Sequence, residues 1–183
     1  MSVVVADTSP LNYLVQCGAI EVLPQLYGVV VIPRAVFDEL SEKGAPEAVR
    51  SWLNPPPVWI SVRSAGAIDE CLVLGRGEAE AICLAQEIHA DEILLDERRA
   101  RKAALERGLI VTGTLGVLEA AAKRHLLHLP EVIEKLERTN FRTEPAVCWH
   151  ACCSGRLPGS AGPEMSSLDG ARHSGSGTWV HRQ

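Results

Sequence analysis

Val3-Val4-Val5-Ala6-Asp7-Thr8-Ser9-Pro10-Leu11 opens this chain with a strand, an acid and a helix start in nine residues. Four apolar residues in a row, too few for a helix, read as a short buried strand. Asp7 ends the run. Ser9 then serves as N-cap and Pro10 takes the first helical position, where its missing N–H costs nothing. The same unit recurs along the chain. Apolar runs at 29–32, 58–62, 92–95 and 109–111 read as further strands. Helical patterns fall at 21–26, from Pro33 to about 42, at 45–53, 78–89, 98–107, 115–124 and 130–138. Gly18, Gly44, Gly108 and the Asn54-Pro55-Pro56-Pro57 stretch punctuate them. Short apolar strands alternating with helices imply an α/β fold, a parallel sheet covered on both faces.

The composition agrees. The 183 residues are 46% hydrophobic and only 4% aromatic, the apolar part mostly Val, Leu, Ile and Ala. This length suits one domain with a sizeable core, without help from disulfides or a structural metal. No run approaches the roughly 18 apolar residues of a membrane helix. The first basic residue is Arg34, so the start does not read as a secretory leader, and a cytoplasmic protein is expected. The net charge of −5 argues against electrostatic wrapping of duplex nucleic acid. It does not exclude an enzyme that holds metal ions on carboxylates. Cys17, Cys71 and Cys83 lie in apolar stretches and read as reduced core residues.

The pattern breaks near residue 145. From Pro145 to Gln183, 15 of 39 residues are Gly, Pro or Ser, and neither period persists. Residues 1–144 therefore read as the domain and 145–183 as a disordered tail that cannot offset its ordering entropy. A reading-frame change near the end of the gene would produce such an abrupt loss of pattern. Cys148, His150, Cys152 and Cys153 in this tail invite a zinc reading, but no second ligand pair follows at regular spacing.

In an open parallel sheet, functional groups gather beyond the carboxyl ends of the strands. Asp7 and Asp96 both stand there, each after an unbroken apolar run. Either alone could simply cap the next helix; two in one sheet point to a shared site. Glu39 flanks the buried face that Val36 and Leu40 mark at i, i+4, while Asp38 points about 100° away around the helix. Glu78 falls in the first turn of its helix, where the helix dipole alone would favour it. Glu80 faces away and is the weaker candidate. Several carboxylates converging from separate elements need cations, and Mg²⁺ or Mn²⁺ prefers such oxygen ligands. These metals activate water and stabilise charge on a phosphodiester. Thr8, Ser9, Thr112 and Thr114 offer hydroxyls at strand ends. Arg98, Arg99, Arg101 and Lys102 follow Asp96 and suit phosphate contacts, although a solvated face paired with Glu97 and Glu106 is the plainer reading. There is no Gly-rich dinucleotide fingerprint after the first strand, no P-loop and no Gly-x-Ser-x-Gly elbow.

These residues resemble those of PIN-domain proteins. The resemblance rests on residues 7–11, on Tyr27-Gly28 before a strand, and on Ile32-Pro33 leading to Glu39-Leu40. It continues through Leu74-Gly75 and Gly77-Glu78-Ala79-Glu80-Ala81-Ile82, residues 94–101, and Thr112-Gly113-Thr114-Leu115-Gly116-Val117-Leu118, and ends at Phe141-Arg142. It covers about residues 1–144, and the nearest subgroup resembles the VapC-type toxins of toxin-antitoxin pairs. The resemblance implies a three-layer α/β/α domain with a central parallel sheet and a metal-dependent ribonuclease that hydrolyses RNA with a metal-activated water. Its four acids fall on Asp7, Glu39, Glu78 (where many relatives carry Asp) and Asp96. Its hydroxyl near the metal falls on Thr8 or Ser9, with Thr114 a further polar contact; the basic run read above puts Arg98 and Arg99 on the substrate side. It also implies homodimers and a small antitoxin that occludes the acidic groove. A catalytically silent binding module on the same fold is the alternative.

Overall fold

The computed structural model describes residues 2–69 and 72–141. Val4–Ala6 forms β1, fully buried, and Thr8–Gln16 follows as α1. The helix begins two residues earlier than Ser9 as N-cap would allow. Asp7 is the N-cap, with extended backbone at φ −87 and ψ 171, and its N–H still donates to the Leu94 carbonyl at 3.1 Å. The chain turns helical as soon as that ladder ends. Pro10 then sits in the first turn, where backbone N–H groups lack helical partners anyway.

The chain continues as α2 (Val22–Tyr27), β2 (Val30–Pro33), α3 (Arg34–Ser41), α4 (Glu47–Trp52), β3 (Ile60–Arg63), α5 (Arg76–Glu87), β4 (Glu92–Leu94), α6 (Arg98–Glu106), β5 (Val111–Thr112), α7 (Thr114–Lys123) and α8 (Leu129–Glu137). Every strand expected from the apolar runs is present, β1, β2 and β4 within one residue of their expected bounds and β3 and β5 displaced further. β3 starts at Ile60, because Val58 is fully solvent-exposed and the ladder begins opposite Val30. β5 is an edge strand of two residues, 111–112 rather than 109–111. Ile110 is exposed there; its carbonyl still accepts the Ile93 N–H at 2.8 Å, but the ladder pairs only Val111 and Thr112 with β4.

All strands are parallel, in the order β3-β2-β1-β4-β5. Val5 pairs with Val31 on one side and with Ile93 on the other. These three pack with Ala81, Ile82 and Ala85 of α5 and with Ala100 and Ala104 of α6. The pleat turns Val4, Val30 and Leu94, equally buried, to the opposite face. There α1, α2, α7 and α8 pack on one another, which gives three layers, α/β/α. Cys17 is buried and Cys83 half-buried, both as free thiols. Among the described residues no helix is long and apolar enough to cross a membrane. Cys71, Arg142 and the tail from residue 145, with Cys148, His150, Cys152 and Cys153, lie outside the described residues.

This strand order reverses between β1 and β4. The chain steps outward from β1 to β2 and β3, then returns to the other side of β1. Outside the carboxyl ends of the strands at such a reversal is where open sheets form their ligand crevice.

Candidate active site at the carboxyl end of the sheet

Asp7 ends the central strand at that reversal, 3% exposed. Its Oδ1 is buried without a hydrogen-bond partner, a condition shared among the described residues only by Trp52 Nε1. Burial is the main cause that pushes its carboxyl up to about 7. The Thr8 N–H pulls it back, the Glu78 and Glu39 carboxylates push it further up, and the Ser9 N–H again lowers it. A buried carboxylate with an idle oxygen and two acidic neighbours is an unsatisfied site for a cation.

Glu39 reaches this point from α3. Its Oε2 accepts a 2.7 Å hydrogen bond from the Thr8 hydroxyl, so the residue after Asp7 orients the second acid. Gly77, in the first turn of α5, leaves the room between them. A Cβ built there would lie 3.3 Å from Glu39 Oε2, 3.3 Å from Val36 Cγ2 and 3.4 Å from Asp7 Oδ1. Both carboxylates thus border the space above one glycine.

Glu78 is the third residue of α5. Its Oε2 accepts the Gly75 N–H at 2.9 Å and closes the start of the helix. Burial raises its pKa most; the Gly75 N–H lowers it, Glu97 and Glu39 raise it, and Arg99 lowers it. Asp7, Glu39 and Glu78 line one open cleft of about 820 Å³, together with Thr8, Ser9 and Arg99. Arg99 is braced there by a 3.2 Å bond from its Nη2 to the Val73 carbonyl.

Asp96 does not line this cleft. Its Oδ1 accepts the Thr114 N–H at 2.8 Å and its Oδ2 accepts the Thr114 hydroxyl at 2.6 Å, closing the N-terminus of α7. Burial raises its pKa, against the Thr114 donors and Arg101. Thr114 is fully buried by the same contact. Arg98, at the first position of α6, is exposed and outside the cleft lining. Three of the four expected acids therefore line one cleft with Thr8, Ser9 and Arg99, while Asp96, Thr114 and Arg98 are not among its lining residues.

Sequence reasoning gave no site role to Glu97 and Arg76, and turned Asp38 away; all three line the cleft. Glu97 was legible only as a helix-face charge, but it follows a strand-end acid directly, and that adjacency was the available signal. Glu80 turns from the cleft, as expected, into the protein. It is 5% exposed and accepts the N–H groups of Ala35 at 2.9 Å and Ala65 at 3.3 Å.

Among the described residues no three acidic, His or Cys side chains gather closely enough to cage a metal by themselves. The donor set still fits Mg²⁺ or Mn²⁺. Mg²⁺ characteristically takes one or two carboxylates, keeps several waters and completes its shell with substrate phosphate. Asp7 Oδ1 and Glu39 supply two hard oxygens, and the open cleft leaves room for water.

The family whose sequence profile matches this chain is described as a PIN domain, and the match spans residues 3–153, past the compositional break near 145. No curated protein matches the chain. Among solved structures, a PilT N-terminus domain protein from the hyperthermophilic archaeon Sulfolobus solfataricus P2 is similar at 18% identity and a TM-score of 0.48. That alignment covers 68% of this chain and 98% of the archaeal one.

Proposed function

The chain belongs to the PIN-domain family, a family of nuclease fold, and from that premise we propose that it is a divalent-metal-dependent endoribonuclease. The observation that carries this reading is the idle, buried Oδ1 of Asp7, bordered by Glu39 and Glu78 in an open cleft. Mg²⁺ or Mn²⁺, when bound, supplies the positive charge the acids lack and the activation that phosphodiester hydrolysis requires. Asp7 and Glu39 would hold it, with Glu78 bordering the same cleft. The Thr8 hydroxyl keeps Glu39 turned inward. Asp7, whose carboxyl titrates near 7 without a cation, releases its proton as the site fills. Arg99, braced on Val73, faces the same space and suits a phosphate oxygen of the scissile strand. Asp96 and Thr114 position the neighbouring strand end and helix.

The role of toxin in a toxin-antitoxin pair, a small antitoxin that covers the acidic cleft, a homodimer and a cytoplasmic setting are proposed with it, on the motif resemblance. Asp96's engagement with Thr114 favours a second reading, a catalytically silent nucleic-acid-binding module. Incubation of purified protein with a structured-RNA pool in Mg²⁺, Mn²⁺ or EDTA separates the two. Metal-dependent cutting supports the nuclease. RNA retention without cutting, by folded protein in either metal, supports the silent module.

A further inference from the structure

A second arm of the cleft leaves the acids along α1. It shares Thr8, Glu39 and Glu42 with the acidic cleft and encloses about 660 Å³. One wall is α1, the other the 44–46 turn before α4, and the far end is Thr139 and Asn140 beyond α8. Its chemistry differs from that of the acidic part. Past Glu39 and Glu42, its lining combines carboxamides and a hydroxyl with the apolar Leu40, Ala45 and Pro46, and Arg138 is its remaining charged group. Arg138 is itself paired with Glu134.

Asn12 and Gln16 stand one helical turn apart on α1, and the Gln16 Nε2 donates to Asn12 Oδ1 at 3.0 Å. That bond couples the two carboxamides. It leaves the Asn12 amide N–H groups as donors and the Gln16 Oε1 as acceptor on two residues of the groove wall. A donor and an acceptor one helical turn apart complement the edge of a nucleobase. A phosphate would instead seek cations, which this arm lacks between its two ends.

We propose that this arm seats the base of the nucleotide flanking the cleaved phosphate, with Asn12 and Gln16 reading its edge. The proposal deepens the nuclease reading and rests on it. Single-stranded RNA offers such edges unpaired. The acidic cleft then holds the phosphate with its cations, and the neutral arm selects the sequence.

The test compares wild type with the Asn12→Ala/Gln16→Ala double variant on a randomised single-stranded RNA pool, with cut sites read by sequencing. Both residues are half-buried on a helix and Ala is a good helix former, so the variant keeps its fold, checked by its melting temperature. Wild type is expected to prefer one base at one flanking position by about tenfold, the scale of one well-made base contact. The double variant is expected to lose that preference while still cutting. A preference that survives the double substitution, or wild-type cutting with no flanking preference, overturns the proposal. If wild type does not cut at all, the nuclease reading fails instead. Fluorescence anisotropy with labelled hexanucleotides differing at one base then decides the groove. Base-dependent binding flattened in the double variant supports it, and base-independent binding overturns it.

Discussion

Both carboxylate oxygens of Asp96 are occupied by a single residue, Thr114, through its backbone N–H at 2.8 Å and its hydroxyl at 2.6 Å. The acid just beyond β4 thereby holds the start of α7. Thr114→Val keeps the shape and removes the hydroxyl donor to a half-buried carboxylate. It is expected to cost about 1–3 kcal/mol, read as a lower urea midpoint with an unchanged slope. A variant as stable as wild type would contradict this role.

Asp7 gives a pH dependence of definite sign in metal-free protein. Its folded value of about 7 lies above the ordinary 3.8, so the folded state holds the proton more tightly than the unfolded chain does. Stability from this group is therefore full at low pH and declines as pH rises between those two values. The loss is about 4 kcal/mol at most. In EDTA, Asp7→Asn should gain on wild type in urea unfolding as pH goes from 5 to 8. Millimolar Mg²⁺ should narrow that gap by stabilising wild type alone. A gap independent of pH would contradict the buried, unpaired state of Asp7.

Gly77 leaves the space in which Asp7 and Glu39 meet. Gly77→Ala adds a methyl 3.3 Å from Glu39 Oε2 and 3.4 Å from Asp7 Oδ1. The helix itself gains from the substitution by about 0.5–1 kcal/mol, and the contacts displace the carboxylates by a few tenths of an ångström. Stability should stay within about 1 kcal/mol of wild type, while Mg²⁺ affinity measured by calorimetry falls about tenfold, as misplaced ligands require. Unchanged affinity would place the metal elsewhere.

Glu80→Gln separates structural from site acids on one helix. The carboxylate of Glu80 joins α5 to the start of α3 and to the segment after β3. Gln offers only one acceptor oxygen and sets an N–H₂ against a backbone donor. A loss of about 2–3 kcal/mol is expected, with the activity of the folded fraction unchanged. Activity lost without loss of stability would return Glu80 to the site.

The strand–helix alternation was legible because buried parallel strands are continuous apolar runs that end abruptly. Residues 4–6 and 93–95 show this. Two errors fell where burial is one-sided or absent, at the edge strand β5 and the exposed Val58; the third, the helix start that Asp7 takes from Ser9, follows from where the β1 ladder ends. Asp7, Glu39 and Glu78 line one cleft, and their strand-end, helix-flank and first-turn positions made that convergence legible, since local geometry fixes where such residues point. Whether Asp96 faces the cleft or Thr114 depends on the approach of α7, 18 residues later. Single-sequence spacing does not encode that approach. The polar arm along Asn12 and Gln16 was invisible for the same reason. Amides at i, i+4 on a helix mean little until the 44–46 turn and Asn140 close a groove over them.

Cleavage by wild type beside Asp7→Asn, on one structured-RNA pool with Mg²⁺, Mn²⁺ and EDTA, bears most directly on the central claim. Cutting is expected in either metal, none in EDTA, and a loss of at least about a hundredfold in the variant while its unfolding midpoint stays at or above that of wild type. Equal cutting by the two proteins, or no cutting by folded wild type in either metal, would contradict it.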